Sequence, residues 1–251
     1  MSDLISVQGV VISSTPVGEY DRRIVLLTKE RGKIPVFAKG ARRLNSPFMA
    51  ASNPFVFGTF TLYEGRTSYN LNQVSILYQF SELAQLQPGV YYGYYFLELA
   101  DYFGHEGTDE RETMNLLYLT VKALLKPQID DRLIRCIYEL RLMCVQGMMP
   151  DLLNCSVSGK APEEGDGVWF SWEAHGICLE EYRGQLPDAA RISFGTLTTL
   201  RYIAWSPMEK LYTFAVGGDV LPQLEMVCHR YTARNTDRKF KSLQILEMMK
   251  G

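Results

Sequence analysis

Over the first eighty residues the apolar positions alternate or run in short β-branched blocks, and beyond Pro88 they recur at helical spacing. Val7 to Ser13, Arg23 to Thr28 and Lys33 to Ala38 read as three strands, the last two joined through the turn-like Lys29-Glu30-Arg31-Gly32. Phe55 to Tyr63 and Tyr69 to Tyr78 supply two more, separated at Glu64-Gly65-Arg66. An open five-stranded sheet of this length would leave edges exposed, so a small closed barrel is expected, of OB or SH3 type. The helical part begins with Tyr91, Tyr95, Leu99 and Tyr102 on one face, stopping at Gly104. Asp109 with Glu112 resembles a capping pair before Met114, Leu117, Val121 and Leu124. A third helix opens at Asp130-Asp131 and carries Leu133, Ile137, Leu140 and Cys144 to Gly147. Short links predict that these three pack as an antiparallel bundle.

Between Pro150 and Pro187 the helical period breaks, with a turn-rich stretch at Gly159 to Gly167, which predicts an excursion or small subdomain. Helices are expected again from Thr196 to Trp205, from Pro207 to Ala215 and from Leu221 to Ala233. For the second of these, Ser206 reads as N-cap, Pro207 as first helical residue and Glu209 as capping partner. Lys241-Ser242-Leu243 leads into a short apolar turn or helix. The fold class is therefore α+β: an N-terminal barrel domain over 1-80 and a mostly helical domain over 81-251, interrupted at 150-187.

Composition narrows the class little but excludes several. With 251 residues, 47% hydrophobic and 22% charged, the chain can bury a core without disulfides. No apolar run is long enough to span a bilayer, and Met1-Ser2-Asp3-Leu4 opens no secretory signal, so a cytoplasmic location is expected. Five scattered cysteines fit a reducing compartment. The formal net charge of -2 hides an uneven distribution, basic in residues 1–80, acidic in 81–180 and basic again in 181–251.

The densest basic stretch is Tyr20 to Ser46, where Arg22, Arg23, Lys29, Arg31, Lys33, Lys39, Arg42 and Arg43 face only Asp21 and Glu30. Gly40 follows a strand directly and can turn the flanking cations outward from a barrel rim. Lysine gives a mobile point charge and arginine a planar fork, which together suit a phosphate backbone without selecting bases. Tyr20, Phe37, Phe48, Tyr63 and Tyr69 read first as core or rim packing and second as stacking faces. A solvated hairpin is the bland alternative to the whole cluster.

The pieces Glu19-Tyr20-Asp21, Leu26 to Lys33, Phe37 to Arg43 with Ser46, and Asn53-Pro54-Phe55, in this order and spacing, resemble the N-terminal signature of the RecO family. The likeness continues through the tyrosine-rich first helix, the Cys155 to Cys178 stretch, His229-Arg230-Tyr231 and Lys241-Ser242-Leu243. The resemblance implies an OB-fold head, a helical body with a zinc-ribbon-like insert and no covalent catalysis. It further implies a DNA-repair recombination mediator of the RecF pathway, nucleoid-associated, that binds single- and double-stranded DNA, anneals complementary strands, engages RecR and helps load RecA. The loading takes place on strands coated by single-strand-binding protein, whose C-terminal tail enters an apolar slot beside a cation such as Arg132, Arg135 or Arg141. DNA contact is carried onto Arg22, Arg23, Lys33, Lys39, Arg42 and Arg43. Arg230, Arg234, Arg238, Lys239 and Lys241 form a secondary DNA or partner surface, with a solvated face as its alternative. An OB-type RNA-binding module and an interaction scaffold that does not bind DNA are the competing readings.

A zinc ribbon needs four converging ligands, usually two Cys-x-x-Cys knuckles. Here Ser158 and Glu181 stand at the second position of each, leaving Cys155 and Cys178, with His175 nearby. Cys155, Cys178, Glu181 and His175 could supply mixed ligands to zinc, but the expectation is no cofactor and an insert held by Trp169, Phe170 and Trp172. His105 and His229 lack a neighbouring nucleophile motif, no phosphate loop or hydrolase elbow is present, and Asp130-Asp131 and Glu163-Glu164 read as cap and solvated loop. No enzyme is expected.

Overall fold

The computed structural model describes residues 3–66 and 68–249 and is mixed α+β. Five strands, β1 (Asp3–Val17), β2 (Asp21–Thr28), β3 (Gly32–Ala38), β4 (Val56–Glu64) and β5 (Tyr69–Gln79), close in the order β1-β2-β3-β5-β4. A one-turn helix, α1 (Phe48–Ala51), lies between β3 and β4. All neighbours are antiparallel except β3 and β5, which meet in parallel at Val36–Tyr69 and Phe37–Asn70. This topology fits the OB-fold. Strand alternation sends Val7, Val11, Ile24, Leu26, Ile34, Val36, Phe60 and Leu62 inward, where they make one continuous core. The expected five strands are all present, with β1 extended by several residues at both ends.

The chain divides into two compact units, Met1–Leu125 with Phe240–Gly251, and Lys126–Lys239. In the first, α2 (Gly89–Phe103) packs on α3 (Arg111–Leu124) and on α7 (Lys241–Met249), through Tyr95 and Tyr102 edge-on to Phe240. Gly32, at φ +65°, is needed where the β2–β3 turn passes the loop after α2, because a Cβ there would lie 2.0 Å from the His105 carbonyl oxygen. Asp109 accepts from the Arg111 N–H at 3.0 Å, as the capping pattern suggested, although Glu110 is the residue at the cap position.

In the second unit, α4 (Asp131–Val145) packs against α5 (Phe194–Trp205) and α6 (Val220–Arg234). The three consecutive helices expected as one bundle are thus divided between two units. The Asp130 carboxylate caps α4 by accepting from the Arg132 N–H at 2.9 Å. The excursion after Pro150 is a four-stranded sheet, β6 (Asp151–Cys155), β7 (Val168–Ser171), β8 (Gly176–Leu179) and β9 (Ala190–Ile192), in the order β6-β8-β7-β9. It shares a core with α6: Phe170 meets Tyr231 edge-on, and the indole N–H of Trp172 donates to the Val227 carbonyl at 3.2 Å. Phe170 and Trp172 are fully buried, whereas Trp169 faces outward under the Arg183 guanidinium.

The helix expected from Pro207 to Ala215 does not form; only a single 3-10 turn, Met208–Lys210, is present. Ser206 serves instead as the C-cap of α5, its N–H donating to the Tyr202 carbonyl at 2.9 Å, and Pro207 stays extended at ψ 145°. With Pro207 extended rather than helical, no helix can start at that residue.

A buried ionic cluster joins α4 to α6. Glu139 is completely buried and accepts from Arg135 Nε at 2.8 Å and from His229 Nδ1 at 2.7 Å. Burial opposes ionisation of this carboxyl, but His229 and Arg135 outweigh it and hold its pKa down at about 2. A free glutamate titrates near 4.5. The stability this pairing supplies is therefore fully present above pH 4.5 and is lost as the pH falls towards 2. Thermal unfolding followed by circular dichroism should show a midpoint falling across that window. Glu139→Gln should flatten this dependence and destabilise the protein by about 3–5 kcal/mol at neutral pH in urea titration, since it removes the buried carboxylate charge that Arg135 and His229 face.

Candidate nucleic-acid interface

The basic stretch does not form one patch. Because β2 and β3 are antiparallel, its ends return to one end of the barrel while its middle lies at the hairpin turn. At the turn, Arg31 grips Glu64 through both terminal nitrogens at 3.2 and 3.3 Å, and Lys29 Nζ donates to Gln8 Oε1 at 2.6 Å. Lys33 is ion-paired with Asp101 of α2 at 3.5 Å and also donates to the Asp101 backbone carbonyl. These cations are engaged within their own unit.

At the other end, the β1–β2 turn and the segment leaving β3 are tied together. The Arg42 N–H donates to the Tyr20 carbonyl at 2.8 Å, and the Gly40 N–H to Asp21 Oδ1 at 2.7 Å. Gly40 adopts φ +68°, and successive turn bonds, Arg43 N–H to Gly40 O at 3.0 Å and Ser46 N–H to Arg43 O at 3.1 Å, hold the loop. Asp21 is thereby used to fix backbone, while Glu19 stands exposed in the same turn. Arg42 Nη1 donates to the Gly18 carbonyl at 3.2 Å, and the Arg43 guanidinium lies 5.2 Å from the Tyr20 ring centroid. Both remain exposed, as do Lys39 and Arg23.

Arg22 differs from its neighbour. Its Nη1 donates to Ser52 Oγ at 3.0 Å and Asn53 Oδ1 at 2.6 Å, with the Met49 carbonyl at 3.4 Å. It therefore clamps the α1 turn, through the Asn53 that opens the last piece of the N-terminal signature. Arg23 stands on the outward face of β2 opposite Phe37 of β3, and Phe37 is half-buried there. Of the other aromatics, Phe48 and Tyr69 pack on the barrel core, Tyr69 also bonding Glu64, while Tyr20 and Tyr63 are exposed. The rim thus gathers Arg23, Lys39, Arg42, Arg43 and Tyr20. Arg22 acts beneath it, and Lys33 lies elsewhere.

The secondary cations separate too. Arg230, Arg234, Arg238 and Lys239 belong to the second unit and Lys241 to the first. Arg230 stacks over Trp172 at 3.9 Å. The three arginines considered for a carboxylate slot are each engaged: Arg132 with Asp130 and Glu225, Arg135 with Glu139, and Arg141 with the Ile203 and Ala204 carbonyls at the end of α5.

Around the insert's two cysteines, the residues present do not fit a zinc ion. Cys155 Sγ accepts N–H bonds from Ser158 at 3.5 Å and Leu179 at 3.4 Å, the arrangement of a metal knuckle without its second thiol. Burial opposes ionisation of Cys155, but these donors prevail and lower its pKa. Cys178 is pushed up to about 11 by burial, with the nearby Cys155 adding to it. Among the described residues no three of His, Cys, Asp or Glu converge as metal ligands, whereas zinc requires four.

Residues 1–80 match the family model described as Recombination protein O N terminal, and residues 89–244 the one described as Recombination protein O C terminal. The chain belongs to the RecO family. It is 31% identical over 244 residues to the DNA repair protein RecO of Alkaliphilus metalliredigens, covering 96% of this chain and 98% of that one. It is 27% identical to the RecO proteins of Symbiobacterium thermophilum and Bacillus pumilus, over 99% of this chain and 98% and 95% of theirs. Of the RecO signature read from the sequence, Glu19 to Asp21, Phe37 to Arg43 with Ser46, and Asn53 lie at the tied rim and its clamp, whereas Leu26 to Lys33 lies at the hairpin turn. No helix among the described residues is long and apolar enough to cross a membrane.

Sequence reasoning missed the Arg22 clamp and the Lys33–Asp101 pair. The first had at most a weak signal, Asn53 within the N-terminal signature; the second had none, because Asp101 sits in a helix whose docking is tertiary. Gly40→Ala should cost about 1–2 kcal/mol in urea unfolding. A Cβ there meets nothing closer than the flexible Arg43 side chain, Cδ at 3.5 Å and Nε at 3.8 Å, so the cost comes from the left-handed backbone.

Proposed function

We propose that this protein is a non-enzymatic DNA-repair mediator that binds single- and double-stranded DNA through the barrel rim and anneals complementary strands. With RecR it helps load RecA onto strands coated by single-strand-binding protein, working in the cytoplasm at the nucleoid. Residues 1–80 act as the DNA-binding module, and 81–251 as the partner-binding body with its insert at 150–187. The observation that carries this reading is the tied rim, with Arg23, Lys39, Arg42 and Arg43 exposed and, among the described residues, no acid in a salt bridge with them. Family membership supports it.

Annealing requires two polyanions to approach. A cationic rim lowers that barrier by neutralising phosphates, and without base-specific donors it leaves Watson–Crick edges free to pair. Arg22 contributes by holding the 48–53 turn, and Lys33 by holding α2, so neither is assigned to the DNA surface. Arg230, Arg234, Arg238, Lys239 and Lys241 are proposed as a secondary DNA or partner surface, and the tail of single-strand-binding protein as a ligand of the helical body.

Fluorescence anisotropy with labelled single strands, taken at several salt concentrations, tests this. Four phosphate contacts to a single strand predict a log–log slope of about -2.8. Replacing Arg42 and Arg43 together by Glu should at least halve that slope, weaken binding to all sequences alike and slow annealing. Lys33→Ala should leave affinity unchanged while lowering stability. Unchanged affinity in the double variant would remove the rim from the site. Tight binding confined to folded RNA, with no acceleration of DNA annealing, would overturn the repair assignment.

A further inference from the structure

The rim's cations have a use in this reading, but the leucine among them does not. Leu44 directly follows Arg42-Arg43 and is 87% exposed, the most exposed large hydrophobic side chain among the described residues. Its turn is held by backbone bonds on both sides and is bracketed by two left-handed residues, Gly40 at φ +68° and Asn45 at φ +64°. It is therefore displayed by a fixed loop. Arg42 reaches the Gly18 carbonyl and Arg43 covers Tyr20, so both guanidinium groups are engaged with the neighbouring turn while Leu44 stays in water.

We propose that Leu44 is a nucleobase wedge: phosphates lie along Lys39, Arg42 and Arg43, and the leucine packs against or between the bases they carry. This rests on the DNA reading of the rim. The chemistry matches on both counts, since a nucleotide polymer alternates anionic phosphates with apolar ring faces, and the loop sets cations beside one large apolar side chain. Leucine is among the side chains that enter base steps and unstack them. Unstacking a duplex costs far more than parting the bases of a single strand, so the wedge biases the rim towards single strands and holds their bases apart for pairing.

The test uses the full chain and a single-stranded oligonucleotide carrying 2-aminopurine between adenines, whose emission rises when its stacking is broken. Binding of the wild-type protein to saturation should raise the emission. Leu44→Ser should abolish most of the rise while weakening binding by no more than about fivefold, and Leu44→Phe should restore it. At 87% exposure, neither substitution disturbs the core. An equal rise with Leu44→Ser, or saturable binding by wild type with no rise, would overturn the wedge and leave the DNA surface standing. Failure of the wild type to bind DNA at all would overturn both. Leu44-dependent binding seen only with anionic phospholipid vesicles would assign the leucine to a membrane and overturn the proposal.

Discussion

The parallel contact between β3 and β5 closes the barrel with only two residue pairs, Val36–Tyr69 and Phe37–Asn70. Everything at the rim depends on it. Antiparallel hairpins alone would give a curled sheet with open edges; this short parallel seam converts the sheet into a barrel and sets the register of β2 and β3 relative to the core. That register sends Ile24, Leu26, Ile34 and Val36 inward and Arg23, Phe37 and Lys39 outward. A one-residue slip would exchange the two faces and bury the charges.

The same hairpin geometry sorts the cations. Eight basic residues that crowd one stretch of sequence are distributed to two ends of the barrel, and each end uses them differently. At the hairpin turn Arg31 and Lys33 meet the carboxylates of Glu64 and Asp101, Lys29 bonds Gln8, and all three hold neighbouring elements in place. At the opposite end Asp21 accepts a backbone N–H, Arg42 bonds a carbonyl and Arg43 covers a ring, contacts that leave the charge of the two guanidinium groups in place. Anion attraction is therefore concentrated at the tied rim.

The second unit relies on a different arrangement. Its helices meet around a buried Glu139 that must stay ionised, held between Arg135 and His229, and its sheet is fastened to α6 through Phe170 and Trp172. The insert keeps a thiol in a knuckle-like set of backbone donors, and its aromatic side chains share a core with α6. His229, without a nucleophile beside it in sequence, is a structural partner of a buried carboxylate.

From its sequence alone the protein was legible as a five-stranded domain followed by helices, because strand alternation and helical spacing are local periodicities, and its family was legible from ordered motifs around Gly40. The loop's positive φ could be anticipated from that glycine. Tertiary structure alone decided which cations remain available: Lys33 found Asp101 and Arg22 found Ser52 and Asn53 only because docking brought them together. It also decided that Ser206 ends a helix, since a cap can belong to the turn before it or after it, and packing chooses between them.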